Sequence, residues 1–340
     1  MADRPSAEGA LDLFGEARAS LPATTRRVIA AGGAIMQDAP DRADFLHAIL
    51  CQVGMPRKST PGRVFERSSG GASMLLEAGK LWTGRNWREV PLPYGTRPRL
   101  VMVHVSSEAI RTRNRQIPIG ESMKDFLVAL GIDTNGGPRG GYTMFKRQME
   151  ALAACRLMLG FTGGGRAVTL DAKPISRFDA WLHPSGEQRP LWPGLLELSQ
   201  EYFDTLAAHA VPLDHRALAA LKHSALTLDL YTWLAHRLCR VRKPAGVKLS
   251  WENLREQFGQ EYADPKNFKK EFRQALRPAL AVYPDARVEE VMGGLMLKPS
   301  PPPLPKTQVT VPARNYDINA ESPPPGSTSC LDNSGQNDSA

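Results

Sequence analysis

The sequence predicts an α+β fold, mostly helical, in which one arrangement of elements occurs twice. Three observations predict it. A helix–strand–helix–helix–hairpin order of patterns is read over residues 97–170 and again over residues 214–298. The third helices of the two copies align without a gap, FKRQMEAL from Phe145 against FKKEFRQA from Phe268, which sets Met149 against Phe272. Each copy closes on alternating apolar stretches around a Gly-rich turn.

In the first copy RPRLVMVHVSSEAIRTR (97–113) is predicted as a helix and RQIPI (115–119) as a short extended piece. GESMKDFLVALG (120–131) is a second helix, opened by Ser122 with Asp125 three residues on, a capping-box-like start. After the turn GIDTNGGPRGG comes the third helix, YTMFKRQMEALAACRL (142–157), and then LMLGF and RAVTL as strands around TGGG. In the second copy a long helix over 214–242 leads to GVKL, a short strand. SWENLREQF follows with Ser250 as N-cap and Gly259 at its end. KNFKKEFRQALRPAL (266–280) is the third helix, with Pro278 expected to end or kink it near Arg277. ARVEEVMGGLMLK (286–298) closes the copy as two short strands. This order is a helix-turn-helix followed by a β-hairpin, so two tandem winged-helix domains are predicted.

The expected domain plan follows. Residues 1–40 are Ala- and Gly-rich with weak periodicity, a flexible N-terminal segment with at most a marginal helix before Pro22. Residues 41–190 form the first winged-helix domain with its N-terminal extension, and 191–300 the second. Residues 301–340, rich in Pro, Ser and Asn, form a disordered tail.

With 43 Lys and Arg against 35 Asp and Glu, the chain carries +8 and a pI near 9.4, which points to a polyanionic partner. Cys51, Cys155, Cys239 and Cys330 form no C-x-x-C pair; the first three read as buried reduced thiols, suiting a reducing cytoplasm. No apolar run reaches membrane-spanning length and the N-terminus lacks a secretory pattern, so a cytoplasmic protein with no membrane partner is expected.

The third helix of the second copy is the candidate DNA-reading element. At about 100° per residue, Lys266, Lys270, Arg273 and Arg277 fall within roughly 60° of one another, with Lys269 beside them. Phe268, Phe272, Ala275 and Ala279 gather on the opposite side, and Asn267 and Gln274 flank the basic row, where amides suit adenine edges. A basic amphipathic helix is ordinarily a solvated face; its place as the third helix of the pattern favours DNA. In the first copy Lys146 and Arg147 diverge and Glu150 lies near Lys146, so packing, subunit contact or phosphate contact is expected there. Arg139 is an auxiliary phosphate candidate in a Gly-rich run that more often is just a flexible turn. Arg240, Arg242 and Lys243, at the end of the long helix with Arg237, are auxiliary phosphate candidates that solvation explains equally well. Arg57, Lys58, Arg63 and Arg67 share that ambiguity. Glu289 and Glu290 argue against the second hairpin lying on the DNA backbone on that face.

Enzyme motifs are missing. SMLLEAGKLW offers Gly79-Lys80, but Met74 replaces the first glycine of a phosphate loop and Leu81 the magnesium-binding hydroxyl. The seven histidines form no His-x-His pair, and His215 and His223 read as surface or satisfied side chains rather than a metal site. No catalytic residue, metal or cofactor is therefore expected.

FLHAILCQVGMPRK, VPLPYGTRPRLVMVHVSSEAIRTRNRQIPIGESMKDFLVALGI and GGPRGGYTMFKRQMEALAACRL together resemble the plasmid-encoded RepA family of replication initiators, over about residues 45–298. The resemblance implies tandem winged helices that bind repeated sites (iterons) in double-stranded DNA at a plasmid origin. It implies opening of adjacent AT-rich DNA, recruitment of the host initiator ATPase and replicative helicase, and dimers that repress their own promoter. The alternatives are a winged-helix transcriptional regulator with no origin role, or an enzyme with an unrecognised site.

Overall fold

Pro22 fixes the backbone just ahead of the first helix, α1 (Ala23–Gln37), in a computed structural model of the chain. The structure describes residues 21–304 apart from 84, 121, 133, 135–139, 164, 172–174, 176 and 179–194. Helix α1 overturns the expectation of a flexible segment for residues 23–37; the proposed helix before Pro22 lies outside the described residues. The pattern is weak because small residues do the packing. Val28 is buried, and a side chain on Gly32 would meet the Ala281 carbonyl oxygen at 2.3 Å.

Strand β1 (Ala43–His47), helix α2 (Ala48–Gln52), β2 (Val64–Ser69), β3 (Ala72–Glu77), β4 (Lys80–Trp82) and β5 (Trp87–Glu89) precede the first repeated unit. That unit comprises α3 (Thr96–Thr112), β6 (Gln116–Pro118), α4 (Met123–Ala129), α5 (Gly141–Ala154), β7 (Arg156–Gly163) and β8 (Arg166–Asp171). The Ser122 hydroxyl accepts from the Asp125 N–H at 3.1 Å, as the capping pattern predicts. The hairpin is not free, however. It extends β2 and β3 into a four-stranded antiparallel sheet, while β6 pairs with β10 (Leu195–Glu197), itself beside β9 (Arg177–Phe178). The reason lies in β3, whose Ala72, Met74 and Leu76 are buried together and whose edge β7 covers.

Helix α6 (Gln200–His209) and β11 (Ala210–Asp214) follow, β11 pairing antiparallel with β1 across the length of the chain. The single long helix expected over 214–242 is two, α7 (His215–Leu221) and α8 (Ala225–Arg237), because Ser224 caps α8 by accepting from the Thr227 N–H at 3.2 Å. The second unit continues with β12 (Val247–Ser250), α9 (Trp251–Phe258), α10 (Pro265–Ala281), β13 (Val288–Val291) and β14 (Gly294–Leu297), and its strands form one sheet in the order β12-β14-β13. The two units share element order but not sheet pairing. Pro278 does not end α10, which runs three residues further; the carbonyl that loses its helical donor belongs to Gln274, on the exposed face of the helix.

Residues 301–304, expected as the start of the tail, are packed against the body. Tyr283 Oη donates to the Pro301 carbonyl at 2.6 Å, and Leu304 is buried; residues 305–340 lie outside the described residues. Cys51 and Cys155 are buried as expected, whereas Cys239 is exposed, because the chain has left α8 for a short 3-10 turn there; Cys330 lies outside the described residues.

One contiguous core runs from Val28 to Leu297, and a buried charge network crosses it. Arg99 grips Asp229 of α8 through Nε at 2.6 Å and Nη2 at 2.9 Å. Arg57 lies 3.6 Å from Asp229 and 3.0 Å from Glu261, and Arg67 lies 3.6 Å from Glu261. Gly54 makes room, since a Cβ there would sit 2.6 Å from Asp229 Oδ2. Arg57 and Arg67, candidates for a basic surface, are therefore structural. With three guanidiniums facing two carboxylates, burial first and Arg57 second push Arg67 down to about 10.

Candidate nucleic-acid interface

Asp264 starts α10 by accepting from the Lys266 N–H at 2.9 Å, with Pro265 in the first helical position. Phe268, Phe272, Ala275, Leu276 and Ala279 are buried, and Phe272 packs edge-on against Trp251 (5.8 Å, 89°) and Phe258 (5.7 Å, 62°). With that face fixed, the opposite one must meet solvent. Lys266, Asn267, Lys270, Gln274 and Arg277 are exposed, while Lys269 and Arg273 are partly covered.

The two covered cations lean toward β13–β14. Lys269 Nζ lies 4.8 Å and the Arg273 guanidinium 5.3 Å from the centre of the Trp251 ring. Arg273 also binds Glu290 of β13 through Nε, at 2.9 and 3.1 Å, and through Nη2. The hydrogen bonds with Glu290 raise Arg273 above the usual guanidinium value, and the same bonds lower Glu290, so each holds the other charged. Glu289 pairs with Lys298 at 2.5 Å. Both glutamates that argued against the hairpin are thus neutralised by neighbours. A side chain on Gly294 would meet the Leu249 carbonyl oxygen at 1.9 Å, and the Trp251 N–H donates to the Gly293 carbonyl at 3.0 Å. The hairpin base is therefore locked to β12 and α9.

Gln274 and Arg277, at the other end of the row, border a groove with Thr24, Thr25, Val28 and Ile29 of α1. Lys146 and Arg147 are exposed on α5, away from α10 in sequence and on a different helix. Arg240 donates to the His236 carbonyl at 2.6 Å and closes the end of α8, and Arg242 and Lys243 are exposed in the turn before β12. Arg139 lies outside the described residues. Of the expected set, α10 therefore gathers its own seven residues, and the auxiliary cations stay on other elements. The reading from sequence missed Trp251, whose only signal was its place one residue after the Ser250 cap. His215 and His223 have separate partners, Asp41 and Arg27. Among the described residues no group of three or more His, Cys, Asp or Glu could hold a metal ion, and no helix is long and apolar enough to cross a membrane.

The second unit thus sets an exposed basic helix face beside a hairpin that is tied back to it. Residues 92–253, just under half of the chain, match the family described as plasmid encoded RepA protein. The match bears out the resemblance seen in the sequence, over a narrower span. The basic row on α10 lies beyond the matched residues. A crystal structure of selenomethionine derivatives of domains 2 and 3 of RctB is similar with a TM-score of 0.44 and 12% identity, covering 73% of this chain and 95% of that one. No curated protein matches the chain in sequence.

Proposed function

We propose that this protein initiates plasmid replication by binding repeated sites in duplex DNA at the origin, with α10 reading the major groove. The observation that carries this is the exposed row Lys266, Lys270 and Arg277 with Asn267 and Gln274, opposite a buried aromatic face. Residues 191–300 act as a winged helix, with β13–β14 as the wing and Lys269 and Arg273 setting its angle through Trp251 and Glu290. Residues 41–190 supply the subunit contact of a dimer, with Lys146, Arg147 and Arg139 as secondary phosphate contacts; Arg240, Arg242 and Lys243 serve as further phosphate contacts. The protein works without catalysis in the cytoplasm, opens AT-rich DNA beside its sites, brings in the host initiator ATPase and helicase, and represses its own promoter.

A footprint of the purified protein on the DNA flanking its gene, at two salt concentrations, tests this. Protected direct repeats about two helical turns apart are expected, with protection that survives the higher salt. Protection of a single inverted repeat at the promoter alone would mean a transcriptional regulator with no origin role. Uniform, salt-sensitive coverage would remove specific recognition altogether.

A further inference from the structure

Two tryptophans stand in the open on a hairpin that the α10 surface does not use. Strands β4 and β5 pair Lys80 with Glu89, Leu81 with Arg88 and Trp82 with Trp87. Alternation along the strands puts Trp82, Trp87, Lys80 and Glu89 on one face and Leu81 and Arg88 on the other. The second face is tied to the body, where Arg88 Nη2 donates to Glu150 Oε2 of α5 at 2.8 Å. Among the described residues no contact to the body is seen on the first face beyond the Arg63–Glu89 pair. Trp82 is 50% and Trp87 65% exposed, with ring centroids 5.6 Å apart and planes at 56°.

The tip is held in shape by Thr83, whose Oγ1 lies 2.7 Å from the Asn86 side-chain oxygen and 3.0 Å from its carbonyl, next to the exposed Arg85. Arg63 and Lys80 flank the ring face, 3.0 and 3.3 Å from the single carboxylate of Glu89. Arg88 and Glu150 cancel on the other face, so among the described residues Arg63, Lys80 and Arg85 stand against Glu89 alone and two positive charges remain in excess. Paired aromatic rings left in water call for a flat apolar partner, and the positive surround selects a polyanion over an apolar protein surface.

We propose that the β4–β5 hairpin is a binding site for single-stranded DNA, with unpaired bases stacked on Trp82 and Trp87 and backbone phosphates held by Arg63, Lys80 and Arg85. In a duplex the base faces are already stacked on one another, whereas a single strand offers them to an aromatic platform without regard to sequence. The site rests on the proposed function only for where the strand comes from, the DNA opened beside the bound repeats. Its chemistry is independent of α10.

The test measures anisotropy of a labelled oligo(dT) of about 16 nucleotides, and separately of flanking duplex DNA, with the full-length protein. The variants are Trp82→Ala/Trp87→Ala and Trp82→Phe/Trp87→Phe. The alanine pair should weaken oligo(dT) binding at least about tenfold, and the phenylalanine pair should restore most of it. Duplex affinity should stay within about twofold, since the platform offers a duplex no exposed base face to stack. An unchanged thermal midpoint checks that these exposed substitutions leave the fold intact. The proposal is overturned if the wild-type protein does not bind oligo(dT), or if the alanine pair binds it as tightly as wild type. Equal loss of duplex binding would also overturn it, by making the hairpin part of the duplex surface. A change of oligomeric state with oligo(dT) binding intact would reassign the rings to protein docking. Loss of specific duplex binding by the wild-type protein would sink the initiator reading and leave the single-strand site standing.

Discussion

Arg273 shows how one contact changes the meaning of a charged residue. On the helical wheel it is one of four equivalent cations, yet its guanidinium is spent on Glu290 and lies over Trp251. Glu290→Gln should release it. Affinity for random duplex should then rise more than affinity for the flanking repeats, because a freed cation adds phosphate attraction and loses a fixed direction; equilibrium binding at two salt concentrations reads the ratio. A fall in both affinities would mean that the pair shapes the hairpin only. His47 behaves differently. It is buried, caps α2 by accepting from the Ile49 N–H at 3.2 Å, and is pushed down to about 3 by burial and then by His209. His236 is pushed down to about 4 by burial and then by Arg240 and Arg237. Both stay neutral in the folded state while the unfolded chain takes up protons below 6.5, the ordinary histidine value. Their stability contribution is therefore full above that pH and is lost as pH falls from it toward 4. His47→Asn keeps a capping oxygen and should remove about one proton from the slope of stability against pH, about 1.4 kcal/mol per pH unit. Urea unfolding at pH 7.5, 6 and 5 measures it; an unchanged slope would mean that His47 is protonated in the fold.

At the scale of the element, α10 is legible because its two faces obey one periodicity and its caps are local. Asp264, Pro265 and the buried phenylalanines are all readable within a 17-residue helix. Its outer polar residues divide by what lies beside them: Lys269 and Arg273 toward the hairpin, Gln274 and Arg277 toward α1, while Lys266 and Lys270 are exposed. Lys266→Ala and Lys270→Ala should each cost about 1–3 kcal/mol on the flanking repeats if they touch base edges, and less on random duplex. Equal losses on both DNAs would restrict them to phosphate. The hairpins were less legible. Both were expected from their turns, but which strands they would join was not, since pairing depends on residues far away in the chain. The hairpin β7–β8 went to β3, whose alternating Met74 and Leu76 lay in a stretch treated only as an extension.

Across the whole molecule, Asp229 is the joint. It sits on α8 and accepts from Arg99 of α3, with Arg57 3.6 Å away, so three segments distant in sequence meet at one carboxylate. Asp229→Asn leaves Arg99 buried with its countercharge removed and should cost about 3–5 kcal/mol, seen as a lower urea midpoint for the full chain. A shift below about 1 kcal/mol would mean that the backbone carbonyls of Met55, Pro56 and Gly95 already hold Arg99. Arg57 and Arg99 both stand in the stretches that carry the family resemblance, yet nothing local distinguishes them from surface arginines.

The amino-acid sequence by itself determined what depends on neighbours within a turn or two: most helices of the two repeated units, their Ser122 and Ser250 caps and the basic face of α10. Only the tertiary structure decided what depends on distant partners. It turned the Gly-rich stretch before residue 40 into a packed helix, through the close approach of Gly32 to Ala281. It buried Arg57, Arg67 and Arg99 against Asp229 and Glu261, and left Trp82 and Trp87 in water. The physical reason is the same in each case. Periodicity and capping are local, whereas burial of a charge or exposure of a ring is set by what the rest of the chain brings beside it.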